Sequence, residues 1–549
     1  MAGFAHSARK TLLGLLAATP LYEYSLQGRR IAELVRTPAY PRDGDAELAD
    51  AIFQGRYRFA GSRQMAPGKP PWNIPESSEE WRAALQSFDW LRHFRARGGT
   101  ASERHARNLV GSWLTHCGQY EPLAWRADIL GRRLVAWLCH SDFLLVAAEQ
   151  PFSEQFLDSI ARQLVHLGRA WRLAPTGAGR LDALLGLVYG ALCLPDGDQR
   201  LEGALALLIS EIDDQVPADG GHVSRSPALQ QQILGDLAGL RQALQEARFE
   251  VPLALQTAID RMAPMLRFYQ HGDGGLAWFN GAAGEPDGST DRILVSAEAN
   301  GRPPPSAPHT GFERLQAGRT LAIVDCGSAS AADSGNWPHA GCLSFELSSG
   351  RDRLVVNCGA AEPRTAPLAR ALRSTPAHST LSVDESSQFD IGDIEAHVEC
   401  RTQREDADGN VWFEGQHDGF LAAYGLHHRR KLYLSADGAD LRGEDALLVK
   451  GPGARTTPFF LRFHLHPDVD ASLVQDGRTV ILRSGSGQGW RFRSAGGAVT
   501  LEESLHVPLD EKRRKAEQIV ISAETVAAEE TLVKWSFSRV DDPDGRARS

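Results

Sequence analysis

The stretch PHAGCLSFELSSGRDRLVVNCG, residues 338–359, followed by STPAHSTLSVD, residues 374–384, decides the architecture of this chain. A run that alternates with period two buries one face of a strand, so residues 343–347 and 354–356 read as neighbouring strands. His339 lies just before the first of them, Asn357 ends the second, and His378 opens a third after the basic segment holding Arg370 and Arg373. Two imidazoles and an amide oxygen on adjacent strand ends suit a divalent metal such as zinc. The same spacing suits two histidines that only hydrogen-bond backbone at strand ends, and the residues alone leave both readings open.

Outward from this pair the period-two pattern continues. Residues 320–324, 431–435, 459–464, 479–482, 490–493 and 518–522 read as strands, with turns at Asp408-Gly409, Asp437-Gly438 and Asp476-Gly477. His464 and His466, two apart and therefore on one face of a strand, read as a solvated polar face. So many short antiparallel strands predict a β-sandwich and an all-β second half. The Pro-rich stretch GRPPPSAPHTG, residues 301–311, precedes it, and ahead of that the period changes.

From residue 77 to about 270 apolar positions recur at helical spacing. Ser77 with Glu80, and Thr100 with Glu103, read as capping boxes. Later helical runs cover 129–137, 156–171, 181–192, 201–212, 229–244 and 253–266, which is the rhythm of stacked helical hairpins. The expected fold is α+β multidomain, with an N-terminal α/α toroid (an incomplete barrel of helical hairpins) over 1–300 and an antiparallel β-sandwich over 301–549.

The chain has 549 residues, 42% of them hydrophobic, and a formal charge of -10. That bulk suits several cores, and the acidity argues against nucleic acid as a partner because phosphate contacts need clustered Lys and Arg. The seven cysteines are scattered without a CxxC pair and read as reduced, mostly buried thiols, so a cytoplasmic location is expected. Arg9 and Lys10 ahead of the apolar run 12–18 offer the alternative of export to the periplasm or cell envelope. No apolar stretch approaches the ~20 residues of a membrane span. Oligomeric state is left open.

Two loops display polar side chains. In DGGHVSRSP, residues 219–227, His222 and Arg225 are placed to point into a toroid cavity, while Ser226 and Pro227 read as a helix start. RFYQHGDGGLAWFNG, residues 267–281, brings Tyr269, His271 and Asp273 beside Trp278 and Asn280. Tyr269 reads as a base or as an amphipathic edge residue. Tryptophans crowd the helical half at 72, 81, 90, 113, 125, 137 and 171, mostly as core with some suited to a glycan cleft. No Walker motif, nucleophile elbow, H-E-x-x-H or dinucleotide fingerprint occurs.

In this order, FDWLRHF at 88–94, DGGHVSRSP, HAGCLSFEL at 339–347, FHLHPDV at 463–469 and WSF at 535–537 resemble the heparinase II/III family of polysaccharide lyases. The resemblance implies a toroid followed by a sandwich, and β-elimination on uronate-containing polysaccharide. There a cation or amide neutralises the carboxylate, a Tyr or His takes the C5 proton, and an acid assists the leaving oxygen. It implies that His222 meets the carboxylate and that His339 and His378 hold a structural zinc, with Asn357 at the third metal position. Tyr269 is the nearest candidate for the base, and beside these Arg225 is taken as a further catalytic candidate and Arg373, Trp278 and Trp337 as substrate-binding candidates. Three letters depart from the family pattern. Trp337 stands where a catalytic histidine is usual, and Gly341 and Asn357 stand where aspartates are usual. The expected function is thus a carbon-oxygen lyase acting on an acidic polysaccharide or oligosaccharide. A non-catalytic glycan-binding or envelope-biogenesis protein on the same scaffold is the alternative. A hydrolase would need two facing carboxylates, for which only Asp219 and Asp273 offer themselves.

Overall fold

The computed structural model describes residues 16–540 apart from 18, 28–30, 76, 196, 285–286, 328, 331–337, 392–396, 452–454, 510–511 and 527–528. Trp337 and most of the apolar run 12–18 therefore lie outside the described residues. The chain forms two compact units, one of residues 1–216 with 232–260, the other of 217–231 with 261–549.

The first unit is a set of helical hairpins of the α/α-toroid type, among them Gly99–Cys117, Ala127–Cys139, Gln150–Ala170 and Ala178–Cys193. Gly131 and Gly186 explain how two of these helices meet. A Cβ on Gly131 would lie 2.2 Å from the Asp182 carbonyl oxygen and one on Gly186 would lie 2.6 Å from Gly131 Cα, so the backbones touch. The tryptophans pack inward: Trp113 and Trp137 meet edge to face at 5.2 Å, and Phe88 meets both of them edge-on. Arg133 is fully buried in this cluster. Its guanidinium lies 4.3 Å over Trp113 and donates to Gln163 and to the Gln86 carbonyl, and burial pulls its pKa down to about 9.

Helix starts differ in detail from the sequence expectation. Ser78, not Ser77, caps Glu79–Ser87 by accepting from Trp81 N at 3.1 Å. Thr100 lies inside its helix, which begins at Gly99 after two glycines at positive φ. The turn of chain there is made by backbone freedom, which leaves no role for a side-chain cap.

The second unit is a β-sandwich of two antiparallel sheets. One runs in the order Ala498–His506, Arg514–Glu524, Pro458–Leu465, Asp352–Val356, Phe345–Ser349, Thr320–Asp325, Phe312–Ala317 and Ser306–Ala307, with Leu381–Val383 also paired to Pro458–Leu465. The other runs Cys400–Ala407, Asn410–His417, Leu426–Leu434, Asp440–Val449, Thr531–Arg539, Gly489–Ala495, Thr479–Arg483 and Asp470–Leu473. Phe345 of the first sheet stacks on Trp535 of the second at 5.6 Å and 4°, inside one core that Phe463, Phe492 and Phe537 share. Asp408-Gly409 joins two strands as a two-residue hairpin with both residues at positive φ, the conformation that such turns demand.

The second half is not purely β. The basic segment forms a helix, Pro367–Arg373, and His378 follows a short 3-10 turn; the strand there begins at Leu381. The strand expected at Leu343 begins at Phe345, because Leu343 turns at φ 61° and donates to Asp325 O. His464 is buried and bonded to Ser504 and the Pro376 carbonyl, so the solvated face expected for the 464/466 pair is corrected. Phe463 and Leu465 face the core, so His464 lies on the opposite face of the sheet, where the turn at Pro376 and Ser504 cover it. All seven cysteines are free, six of them buried. No helix among the described residues is long and apolar enough to cross a membrane.

Candidate functional site

Thr310 organises the first group of site residues. Asp219 accepts from the backbone N–H groups of His309 and Thr310 at 2.8 Å and from the Thr310 hydroxyl at 3.1 Å, which staples the 217–226 loop to residues 309–310. Gly221 completes the seam, since a Cβ there would lie 2.3 Å from the Thr310 methyl. Arg225, at φ 57°, donates to the Thr310 carbonyl at 2.8 Å and pairs with the Asp325 carboxylate. Its guanidinium also lies 5.1 Å from the centre of the Phe312 ring. Asn280 donates from its amide to the Arg225 carbonyl and to Asp325. Tyr269 is 1% exposed, hydrogen-bonds Thr310 and meets Phe312 edge-on at 5.1 Å, and burial pushes its phenol far above the ordinary range.

His222 stands in the same loop. Its Nδ1 accepts from Ser224 N at 3.1 Å and lies 2.7 Å from Ser224 Oγ, and its backbone N–H donates to Gln230. Burial pulls its pKa down to about 4, so the ring is neutral at physiological pH. Of the two residues expected to point into a toroid cavity, His222 bonds Ser224 and Gln230, and Arg225 bonds Thr310 and Asp325.

A second group centres on Glu346, the one carboxylate on the wholly buried strand Phe345–Ser349. It accepts from His271 at 3.1 Å and from the backbone N–H groups of Trp278 and Asn357. Trp278 donates its indole N–H to Gly284 O and stacks on His506 at 4.1 Å, so its ring face is covered. Asp273 holds Arg353 at 2.7 Å, and with Asp219 spent on the Thr310 staple, neither carboxylate of the hydrolase pair is left for catalysis.

The third group is the histidine pair. His339 Nδ1 and His378 Nε2 lie 3.1 Å apart with rings at 84°, and His378 donates through Nδ1 to Ser374 O at 2.8 Å. This much resembles a metal pair, with one imidazole oriented by a backbone carbonyl. Asn357 does not complete it: its Oδ1 accepts from Ser379 N, and its Nδ2 donates to Trp278 O and Glu346. Gly341 leaves no space for the usual aspartate, because a Cβ there would sit 2.8 Å from His378 Cδ2. Among the described residues no group of three His, Cys, Asp or Glu side chains is placed to hold a metal. Among the described residues, His339 and His378 are therefore two ligands short of a four-coordinate zinc site. Arg373 donates to the Pro338 and Ile391 carbonyls, and burial lowers its pKa to about 10.

The sequence singled out Tyr269 and Arg225 but not the residues that bond them, Thr310 and Asp325. Both lie at the edges of apolar strands without any motif of their own. Glu346 carried a signal, a single carboxylate inside LSFELSS.

Comparison with known proteins agrees with this geometry. Residues 299–536 match the family described as Heparinase II/III-like, C-terminal. FtsZ-localized protein C of Caulobacter vibrioides is 31% identical over 523 residues, covering 92% of this chain and 90% of that protein. Among solved structures, Heparinase III superposes with a TM-score of 0.73 at 14% identity, covering 96% of this chain and 90% of the other. Heparan sulfate lyase HepC from Pedobacter heparinus gives 0.61 at 15%, covering 95% and 87%. At such identities the superpositions establish the fold, a helical toroid with an antiparallel sandwich. The extended match to a protein of nearly the same length, with the family match over the sandwich, establishes kinship: the chain belongs to the heparinase II/III-like family.

Proposed function

We propose that this chain is a non-catalytic, glycan-binding protein of the division apparatus, a lyase scaffold that binds without eliminating. One observation carries the reading. The phenol available as the base, Tyr269, is buried, bonded to Thr310 and held protonated far above neutral pH. A base for β-elimination must give up its proton near the working pH and reach the substrate carbon. The neighbouring His222 and Arg225 are committed to Ser224 and to Asp325 and Thr310.

Placement at division is supported by the 31% identical relative, which is named for localisation with FtsZ and matches along most of both chains. The test is a fluorescent fusion in a bacterium that divides by FtsZ, together with co-sedimentation of the purified chain with FtsZ polymers. A band coincident with FtsZ and a shift of the chain into the polymer pellet are expected. Diffuse fluorescence with the chain left in the supernatant overturns the placement.

A further inference from the structure

The outward face of the eight-stranded sheet carries a groove of ≈ 970 Å³ that none of the site residues above lines. Alternation builds it. In Leu426–Leu434 every second residue is buried, so His428, Arg430 and Leu432 face the core while Lys431 and Tyr433 face out. The strand registers then set Trp412 opposite Tyr433, Tyr433 opposite Arg442, Arg442 opposite Ser536 and Ser536 opposite Arg493. These five side chains form one row perpendicular to the strands. Four inter-strand steps of about 4.8 Å make it roughly 19 Å long.

Chemistry is distributed along the row. Trp412 is 51% exposed and its ring lies 4.3 Å from that of Tyr433. The Arg442 guanidinium lies 5.8 Å from the Tyr433 ring and pairs through Nε with Asp440 at 2.5 Å, which leaves its two terminal nitrogens to a ligand, with two-thirds of the side chain in solvent. The adjacent row, Glu414, Lys431, Glu444 and Lys534, pairs internally at 3.2 and 3.5 Å. Its charges largely cancel, and the groove as a whole holds five Arg and Lys side chains against three glutamates in a chain of net charge -10.

We propose that this groove is a binding site for an oligosaccharide that carries carboxylates, laid across the strands. Trp412 and Tyr433 supply aromatic faces for a sugar ring, and Arg442 and Arg493 take carboxylates through forked N–H pairs. A peptide is disfavoured by the backbone. The five strands of the row each have neighbours on both sides, so their N–H and C=O groups are used and no edge is open for strand addition. Recognition there runs through side chains alone, which suits rings and carboxylates. For the class of ligand this site rests on the glycan-binding reading above; its location does not.

The test is calorimetric titration of the full-length protein with a galacturonic acid tetrasaccharide, with cellotetraose as neutral control and a polyglutamate peptide as acidic control. The tetrasaccharide is expected to bind, Trp412→Ala to weaken it at least tenfold, and Trp412→Phe to restore most of the affinity. Arg442→Gln with Arg493→Gln is expected to remove the preference for the acidic over the neutral sugar. Parent affinity in Trp412→Ala, failure of the tetrasaccharide to bind, or equal binding of polyglutamate overturns the site. Unsaturated sugar appearing in the same samples sinks the non-catalytic reading and leaves the groove standing.

Discussion

Between pH 7 and pH 5 the protein is expected to lose most of its stability. Burial pulls His93, His140 and His166 of the helical unit, and His222 and His378 of the sandwich unit, down to about 4, and His464 to about 3. Each ring is buried, and for some of them protonation also removes an acceptor. His93 Nδ1 accepts from Asp45 N, and His222 Nδ1 accepts from Ser224 N. The sign follows from linkage. An unfolded histidine takes its proton near pH 6.5, so above that pH both states are neutral and the stability is intact. As the pH falls toward 4 the unfolded chain binds protons that the folded chain refuses, and stability drops. At pH 5 each group costs about 2 kcal/mol, hence about 6 kcal/mol in each unit, against typical domain stabilities of about 5–15 kcal/mol. Urea melts at pH 7.5, 6 and 5 test this. Midpoints that stay constant across the series contradict it.

Replacing Asp445 with alanine is expected to destabilise the sandwich by about 3–5 kcal/mol, because it strands a buried guanidinium. Asp445 is 1% exposed and accepts from Arg430 Nε at 2.8 Å, His428 Nε2 at 2.7 Å and Trp535 Nε1 at 2.7 Å. Burial alone would raise its pKa, but the Arg430 charge overrides burial and holds it at about 2. Arg430 in turn donates to the Leu343 and Ser379 carbonyls, so one ion pair ties the second sheet to the loops of the first. Removing both charges with Asp445→Leu and Arg430→Met is expected to recover much of the loss, since desolvation of the pair is then avoided. Denaturation curves of the two variants decide it. A loss under about 1 kcal/mol for Asp445→Ala would show that the pair carries little.

The same residues show why part of the molecule could be read from its letters and part could not. Period-two runs and Asp-Gly turns are local, and strands such as Thr479–Arg483 lie within a residue of where alternation puts them. In GLHHRR, at 425–430, alternation sends His428 and Arg430 inward, and only the partner strand, with Asp445, explains how they are tolerated. Helix Pro367–Arg373 is only seven residues long, too short to show a helical period, although Pro367 at its first turn is a start signal. The site shows the same limit. His339 and His378 do come together, yet that Asn357 spends its amide on Ser379, Trp278 and Glu346 is a fact of three distant segments that no spacing contains.

The fold is shared with heparinase III, and the loop residues beside Thr310 are bound into the frame of the sandwich unit. Tyr269, Arg225 and Asp219 all converge on Thr310, so the loop that would present substrate-facing groups is held by them. The groove on the far strands offers recognition by a separate surface.

The most direct measurement is the ultraviolet absorbance of the conjugated product that β-elimination leaves on a cut uronate chain. Purified protein incubated with uronate polymers, with and without added zinc, is predicted to give no rise above a protein-free control. A steady rise that Tyr269→Phe abolishes, in a variant that still folds, would contradict the account at its centre.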